Sequence, residues 1–299
     1  MLTDWTLRYI DWVSSEAERA YLAERDALLD SRLATTRLLL SRLVEDDFPD
    51  YEQRDSAVRP LGLDPETPHV AVIVGAASRS STTFDGPLGE ILRVPHRLLP
   101  KAVSALLRRG AVVLVPTAAA GPVAELVTRA LEQVAEIPGD INAGVGRPAM
   151  TAAGIAAAVR EAERARALGE ILHPKAWIHD YESIGFFDLF RQGEAVETFV
   201  EAVLGELLGR DRRGKIDLVR TLYVYFTLGM NRRAAASRLG IHPNTLDYRL
   251  RQAARSSGVS STSPEVSFRF QLAVRLLPLC TRHAWLDDRS SLADILIDW

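Results

Sequence analysis

Asn231-Arg232-Arg233-Ala234-Ala235-Ala236-Ser237-Arg238-Leu239-Gly240-Ile241-His242-Pro243-Asn244-Thr245-Leu246-Asp247-Tyr248-Arg249-Leu250-Arg251 is the stretch on which the reading of this chain turns. The side-chain oxygen of Asn231 can satisfy the first free N–H groups of a helix, which predicts a helix over 232–239. Gly240 ends it, because glycine enters the left-handed turn without a Cβ clash. Pro243 suits the first position of a second helix, where its missing N–H is no loss. It also pushes His242, just before it, out of the α region. The second helix is expected over 243–255, with Leu246 and Leu250 on its inner face at i and i+4. Ile241 plugs the turn, and Ala236 leaves room where the two helices cross. This order is that of a helix-turn-helix.

The opposite face of the second helix carries Asn244, Thr245, Asp247, Tyr248 and Arg251. Asn244 has the donor–acceptor pair that suits adenine, and Arg251 suits guanine or a phosphate. Thr245 suits a base edge or a phosphate. Asp247 repels phosphates, so its partner is a cytosine amine or an arginine. Arg249 lies beside the leucine face, where pairing or snorkelling is expected rather than base reading. Arg232 and Arg233 open the preceding helix, well placed for backbone phosphates. Residues 212–258 hold ten Lys/Arg against two acids, Asp217 and Asp247, a local balance of +8. The whole chain sums to −3, so the rest carries −11. A basic island on an acidic protein fits a polyanion partner, here double-stranded DNA. The same hairpin of helices also occurs in protein–protein adaptors, whose basic face would meet an acidic partner.

Working outward, 299 residues with 47% hydrophobic and 25% charged side chains describe an ordinary globular chain of two or three domains. One cysteine, Cys280, excludes an internal disulfide framework and any multi-cysteine metal site. It is expected as a buried small hydrophobe. No signal peptide and no apolar run of membrane-spanning length are read, which points to a cytoplasmic protein without a membrane partner. The six histidines are scattered without zinc-like spacing, and His173 and His179 are expected at the surface or in caps.

Residues 1–65 are expected as an N-terminal helical segment, with helix over 4–47. Its stripe Leu29, Leu33, Thr36, Leu40, Leu43 is either core-facing or a dimer seam. An α/β domain is expected over 66–172, with strands at 69–75, 111–116 and 141–146 and helices at 101–109, 122–136 and 151–168. A helical connector follows over 173–211, with a short strand near Trp177-Ile178. The helix-turn-helix domain is placed at 212–282 and an acidic amphipathic tail at 283–299. The fold class is thus multidomain and mainly α, with N-terminal helices, a central α/β domain and a C-terminal all-α domain.

The run Thr221-Leu222, Tyr225-Phe226, Asn231 and then Ala235 to Leu250 resembles the C-terminal Fis-like DNA-binding domain of PucR/CdaR-type bacterial transcription regulators. His242, Asn244, Thr245, Leu246, Tyr248, Arg249 and Leu250 match its pattern position by position. The resemblance brings His242 and Arg249 into the expected DNA-binding set beside Arg232, Arg233, Asn244, Thr245, Asp247, Tyr248 and Arg251. The same family usually carries a degenerate GGDEF-like domain ahead of this one, and 69–170 is similar to it. Leu107 to Pro116 resembles the hairpin that bears the signature turn in active cyclases, and Asp140 to Gly146 the next strand. Nucleotide cyclisation needs carboxylates to hold Mg²⁺, and 101–124 contains no Asp or Glu. The chain is therefore expected not to be an enzyme, with no catalytic residue, metal or cofactor.

Two glycine patterns mislead. Gly144-Val145-Gly146 lacks the third glycine of a dinucleotide fingerprint and is read as a plain turn. Gly209 to Ile216 has isoleucine where a P-loop needs Ser/Thr for Mg²⁺. It is read as a charged hinge whose Arg212, Arg213 and Lys215 can reach phosphates. The reading is a sequence-specific DNA-binding regulator, expected as a homodimer or higher homo-oligomer. The α/β domain would serve oligomerisation or signal reception, and a small-molecule effector is left open. The alternative is a nucleotide-binding or cyclase-like signalling protein with a helical adaptor domain.

Overall fold

The computed structural model describes residues 31–64, 67–76, 101–108, 110–117, 141–190, 194–211, 217–256 and 264–280. The helices expected within 1–30 and over 122–136, the 212–216 hinge and the 283–299 tail lie outside them. The chain divides into two compact units. The first comprises residues up to 166 together with 178–181, and the second comprises 167–177 and 182 onward.

The first unit is built on β1 (His69–Ala76), β2 (Val103–Leu107), β3 (Gly110–Pro116), β4 (Ile141–Val145) and β5 (Ile178–Asp180). They form one sheet in the order β2-β3-β1-β4-β5. β1 is antiparallel to both neighbours, with Val72 opposite Val113 on one side and Val145 on the other. β5 joins β4 in parallel. The β-branched run 70–74 takes the central place, where both edges are paired and both faces buried.

The helix expected over 101–109 is corrected. Val103–Leu107 is a strand, paired with β3 from Val103 opposite Leu114 to Leu107 opposite Gly110. Alternating Val103 and Ala105 meet the core, and a strand partner three to eleven residues away outweighs the helical preference of Ala, Leu and Arg. The hairpin is what the resemblance to a GGDEF-like domain implied.

Helices α1 (helical over 31–45), α2 (Tyr51–Val58) and α3 (Ile155–Leu172) complete this unit's core. Leu40, Leu43, Val58, Leu61, Ile155 and Val159 pack with Ala71, Ile73, Val112 and Leu114 of the sheet. The stripe read on α1 therefore divides: Leu40 and Leu43 are core, whereas Leu33 is 65% exposed. Asp50 caps α2 by accepting from the Gln53 N–H at 2.8 Å.

Gly144 and Gly146 are explained by packing. A Cβ on Gly144 would strike the carbonyl of Ala162, and one on Gly146 that of Ala158, so α3 lies directly against β4. Beside them the buried Asn142 accepts from the Arg166 guanidinium at 2.9 Å. His179, expected at the surface or in a cap, is buried in β5 opposite Gly144, a correction that follows from its strand joining the sheet.

The second unit contains α5 (Glu194–Asp211), α6 (Leu218–Thr227), α7 (Arg232–Arg238), α8 (Pro243–Ser256) and α9 (Pro264–Leu276), after a single turn, α4, at Tyr181–Ile184. Val200, Leu204 and Leu207 of α5 share a core with Leu218, Leu222 and Phe226 of α6 and with Phe270, Val274 and Leu276 of α9. Cys280 closes this core, and burial pushes its thiol up to about 11, far from a reactive thiolate.

Candidate nucleic-acid interface

The site rests on α6, whose N-terminus is held from outside the helix. Asp217, its own cap position, makes no side-chain cap bond. Instead Asp211, the last residue of α5, accepts from the N–H groups of Leu218 at 2.9 Å and Val219 at 2.8 Å. Burial pushes the Asp211 carboxyl up to about 6, against the opposing pull of those two N–H groups. Burial also raises Asp217, which pairs with Arg220 at 3.6 Å.

The chain leaves α6 through Gly229 and Met230, both left-handed, and Met230 donates its N–H back to the Tyr225 carbonyl at 2.9 Å. Asn231 then caps α7 as expected, accepting from the Ala234 N–H at 3.1 Å. Gly240 has φ +64, and the Ile241 N–H returns to the Ala236 carbonyl at 3.0 Å. α8 starts at Pro243. His242 stands at its cap, where Nδ1 accepts from the Asn244 N–H at 3.2 Å. An imidazole in that role is a feature the sequence reading did not supply.

The two helices cross on very little side chain. Ala235, Ala236 and the fully buried Leu246 form a small core, with Leu239, Ile241 and Leu250 around it. At about 100° per residue, burying Leu246 turns the opposite arc of α8 outward. Asn244, Thr245, Tyr248 and Arg251 are exposed along that arc. Arg255 continues it one turn further and is exposed too, a candidate that its eleven-residue spacing from Asn244 would have revealed. Tyr248 accepts from Gln252 Nε2 at 2.8 Å, which steadies the ring on the surface.

The flanks of α8 behave differently. Asp247 meets Arg232 at 3.0 Å, the arginine alternative of its two expected partners. Arg233 is exposed beside it at the start of α7. Arg249 turns to the other flank and donates to Thr221 Oγ1 at 3.2 Å, with its charge near Asp211 and Asp217. It braces α8 against α6 and stands apart from the outward arc. Among the described residues no group of three or more His, Cys, Asp or Glu is arranged to hold a metal ion. Nor is any described helix long and apolar enough to cross a membrane.

A capped short helix, a left-handed glycine turn and a second helix with one buried leucine and an outward polar arc define a helix-turn-helix domain of the DNA-binding class. The family profile of the PucR C-terminal helix-turn-helix domain matches residues 218–276, and that of the GGDEF-like domain matches 46–168. With this pair of domains the chain belongs to the PucR-type transcription regulators. No curated protein matches it. Among solved structures it is similar to a regulator of polyketide synthase expression from Bifidobacterium adolescentis, at 20% identity and a TM-score of 0.38, over 80% of this chain and 91% of that one.

Proposed function

We propose that α8 enters the major groove of duplex DNA and reads a specific sequence through Asn244, Thr245, Tyr248 and Arg251. The observation that carries this reading is the outward polar arc opposite the fully buried Leu246. Arg233 and Arg255 flank that arc and meet backbone phosphates, joined by Arg232 once it is shared with Asp247. His242 organises the first turn of α8, so its contribution is to aim Asn244 and Thr245. Arg249 fixes the angle of the helix against α6. A single such helix touches few bases, so two protomers on paired half-sites supply the affinity and fix the spacing.

Within this reading 212–282 is the DNA-binding domain, 173–211 the connector and 66–172 a domain without catalysis that serves oligomerisation or signal reception. The lack of any acid in 101–124 supports the loss of cyclase chemistry, because no carboxylate there can hold Mg²⁺. Residues 1–65 extend the same region, and the exposed Leu33 and Leu38 of α1 suit a contact between protomers. The test is fluorescence anisotropy on the DNA upstream of the gene and on scrambled duplexes, across a salt series. Asn244→Ala is expected to lose about 1–3 kcal/mol of discrimination while keeping non-specific binding. Arg233→Ala with Arg255→Ala is expected to weaken every duplex alike and flatten the salt slope by about 2. Unchanged site preference in Asn244→Ala would remove that arc as the reading surface.

A further inference from the structure

The second unit holds a cleft of about 550 Å³ bounded by α6, α8 and α9. Leu222, Tyr225, Phe226, Leu250, Val266 and Phe270 supply the apolar part of its lining. Its rim is charged, with Arg232 and Arg251 outnumbering Asp247. A cleft with apolar side chains in its lining and a cationic rim fits an amphipathic acidic peptide, the helix-in-groove mode of recognition. The chain itself contains such a peptide.

Residues 285–299 read Trp-Leu-Asp-Asp-Arg-Ser-Ser-Leu-Ala-Asp-Ile-Leu-Ile-Asp-Trp. Leu292, Ile295, Leu296 and Trp299 recur at i, i+3, i+4 and i+7, one face of a helix. Four aspartates against the single Arg289 make the segment −3, opposite in sign to the rim. The seven residues that join α8 to α9, 257–263, offer one apolar side chain, Val259, and no charge, so they do not match the cleft.

We propose that residues 285–299 dock in this cleft of the same chain, Asp294 and Asp298 facing Arg232 and Arg251, and that docking competes with duplex DNA. The competition rests on the DNA-binding reading above, since Arg232 and Arg251 serve both. The docking does not.

The lengths agree. From Cys280, at the end of the 3₁₀ turn after α9, the path back to Val266 is about 20–23 Å at helical rise. Four linking residues span up to about 14 Å, and fifteen helical residues another 22 Å or so. A tether this short holds the segment at a local concentration of about millimolar, so even a weak contact keeps the cleft filled.

Two measurements on the full chain test this. The pair Ser267→Cys with Leu296→Cys puts one thiol in the cleft lining and one on the apolar face of the segment. Cys280 is buried with its thiol pushed up to about 11 and stays out of the exchange. Under mild oxidation the pair is expected to form an intrachain disulfide roughly tenfold faster than Ser237→Cys with Leu296→Cys, whose α7 residue is outside the cleft. In the second arm, Ile295→Asp with Leu296→Asp is expected to raise affinity for a random-sequence duplex roughly tenfold. Equal disulfide rates for the two pairs overturn the docking. Disulfide-linked dimers alone overturn it in favour of a second copy. Fast intrachain linking with unchanged duplex affinity upholds the docking and overturns the competition. Fast linking in a chain that binds no duplex in any variant upholds the docking and defeats the DNA-binding reading instead.

Discussion

β4 against α3 and α7 against α8 are both close approaches made by removing side chains, yet they leave opposite surfaces behind. In the first unit the contact is backbone on backbone, because Gly144 and Gly146 sit where any Cβ would strike a carbonyl of α3. β4 is paired on both edges and buried along its whole length, so nothing on it remains to meet a ligand. In the second unit Ala235 and Ala236 keep their methyl groups and meet a single leucine. Only one side of α8 is sealed, and the other keeps its polar groups in solvent. What separates a sealed contact from a displayed surface is how many other elements flank it. The small residues themselves are common to both.

The comparison is broken most readily at Gly144. Gly144→Ala forces α3 away from the sheet and is expected to cost the first unit about 3 kcal/mol or more, read as a lower midpoint in urea unfolding. A tolerated alanine would mean that the two elements can separate cheaply and that the contact is no seal. Next in size is Leu246→Ala. Its cluster is small and can partly collapse, so about 2–3 kcal/mol is expected, with duplex binding lost in step because α8 loses its anchor.

The smallest expected effect sharpens how α6, the platform for α8, is held. The Asp211 carboxyl lies near 6 in the folded chain and near 4 when unfolded, raised by burial. Folding therefore favours its protonated form. The stability this group contributes is full below about pH 4 and fades as pH rises through about 6. Water still reaches the carboxylate, so about 1 kcal/mol is expected over that interval. Urea midpoints from pH 4 to 8 should show that step in the native chain and lack it in Asp211→Asn. An identical profile for both chains would remove the buried Asp211 carboxyl as the source of the step.

Much of α7 and α8 could be read because its signals are local. Asn231, Gly240 and Pro243 each act within a few residues, and the structure puts the cap, the left-handed turn and the helix start at those positions. The outward set on α8 followed from a single leucine by helical arithmetic. β2 was misread because its strand character comes from pairing with β3, while Ala, Leu and Arg favour helix when taken alone. The Asp211 cap was hidden because the bond crosses seven residues to reach α6. His179 was misplaced because its burial depends on β5 joining a sheet formed much earlier in the sequence. Legibility fell with the distance along the chain over which each residue finds its partner.

The ion pair between Arg232 and Asp247 carries a consequence for how the domain moves over a genome. An arginine already engaged at 3.0 Å surrenders part of its attraction for any passing phosphate. An exposed pair of this kind is worth up to about 1 kcal/mol, or roughly fivefold in affinity. On the proposed DNA-binding reading, that handicap applies to every duplex alike, whereas a correct site would offer Arg232 and Asp247 separate partners. The protein would then let go of irrelevant sequence sooner and spend its residence where both charges find something better than each other.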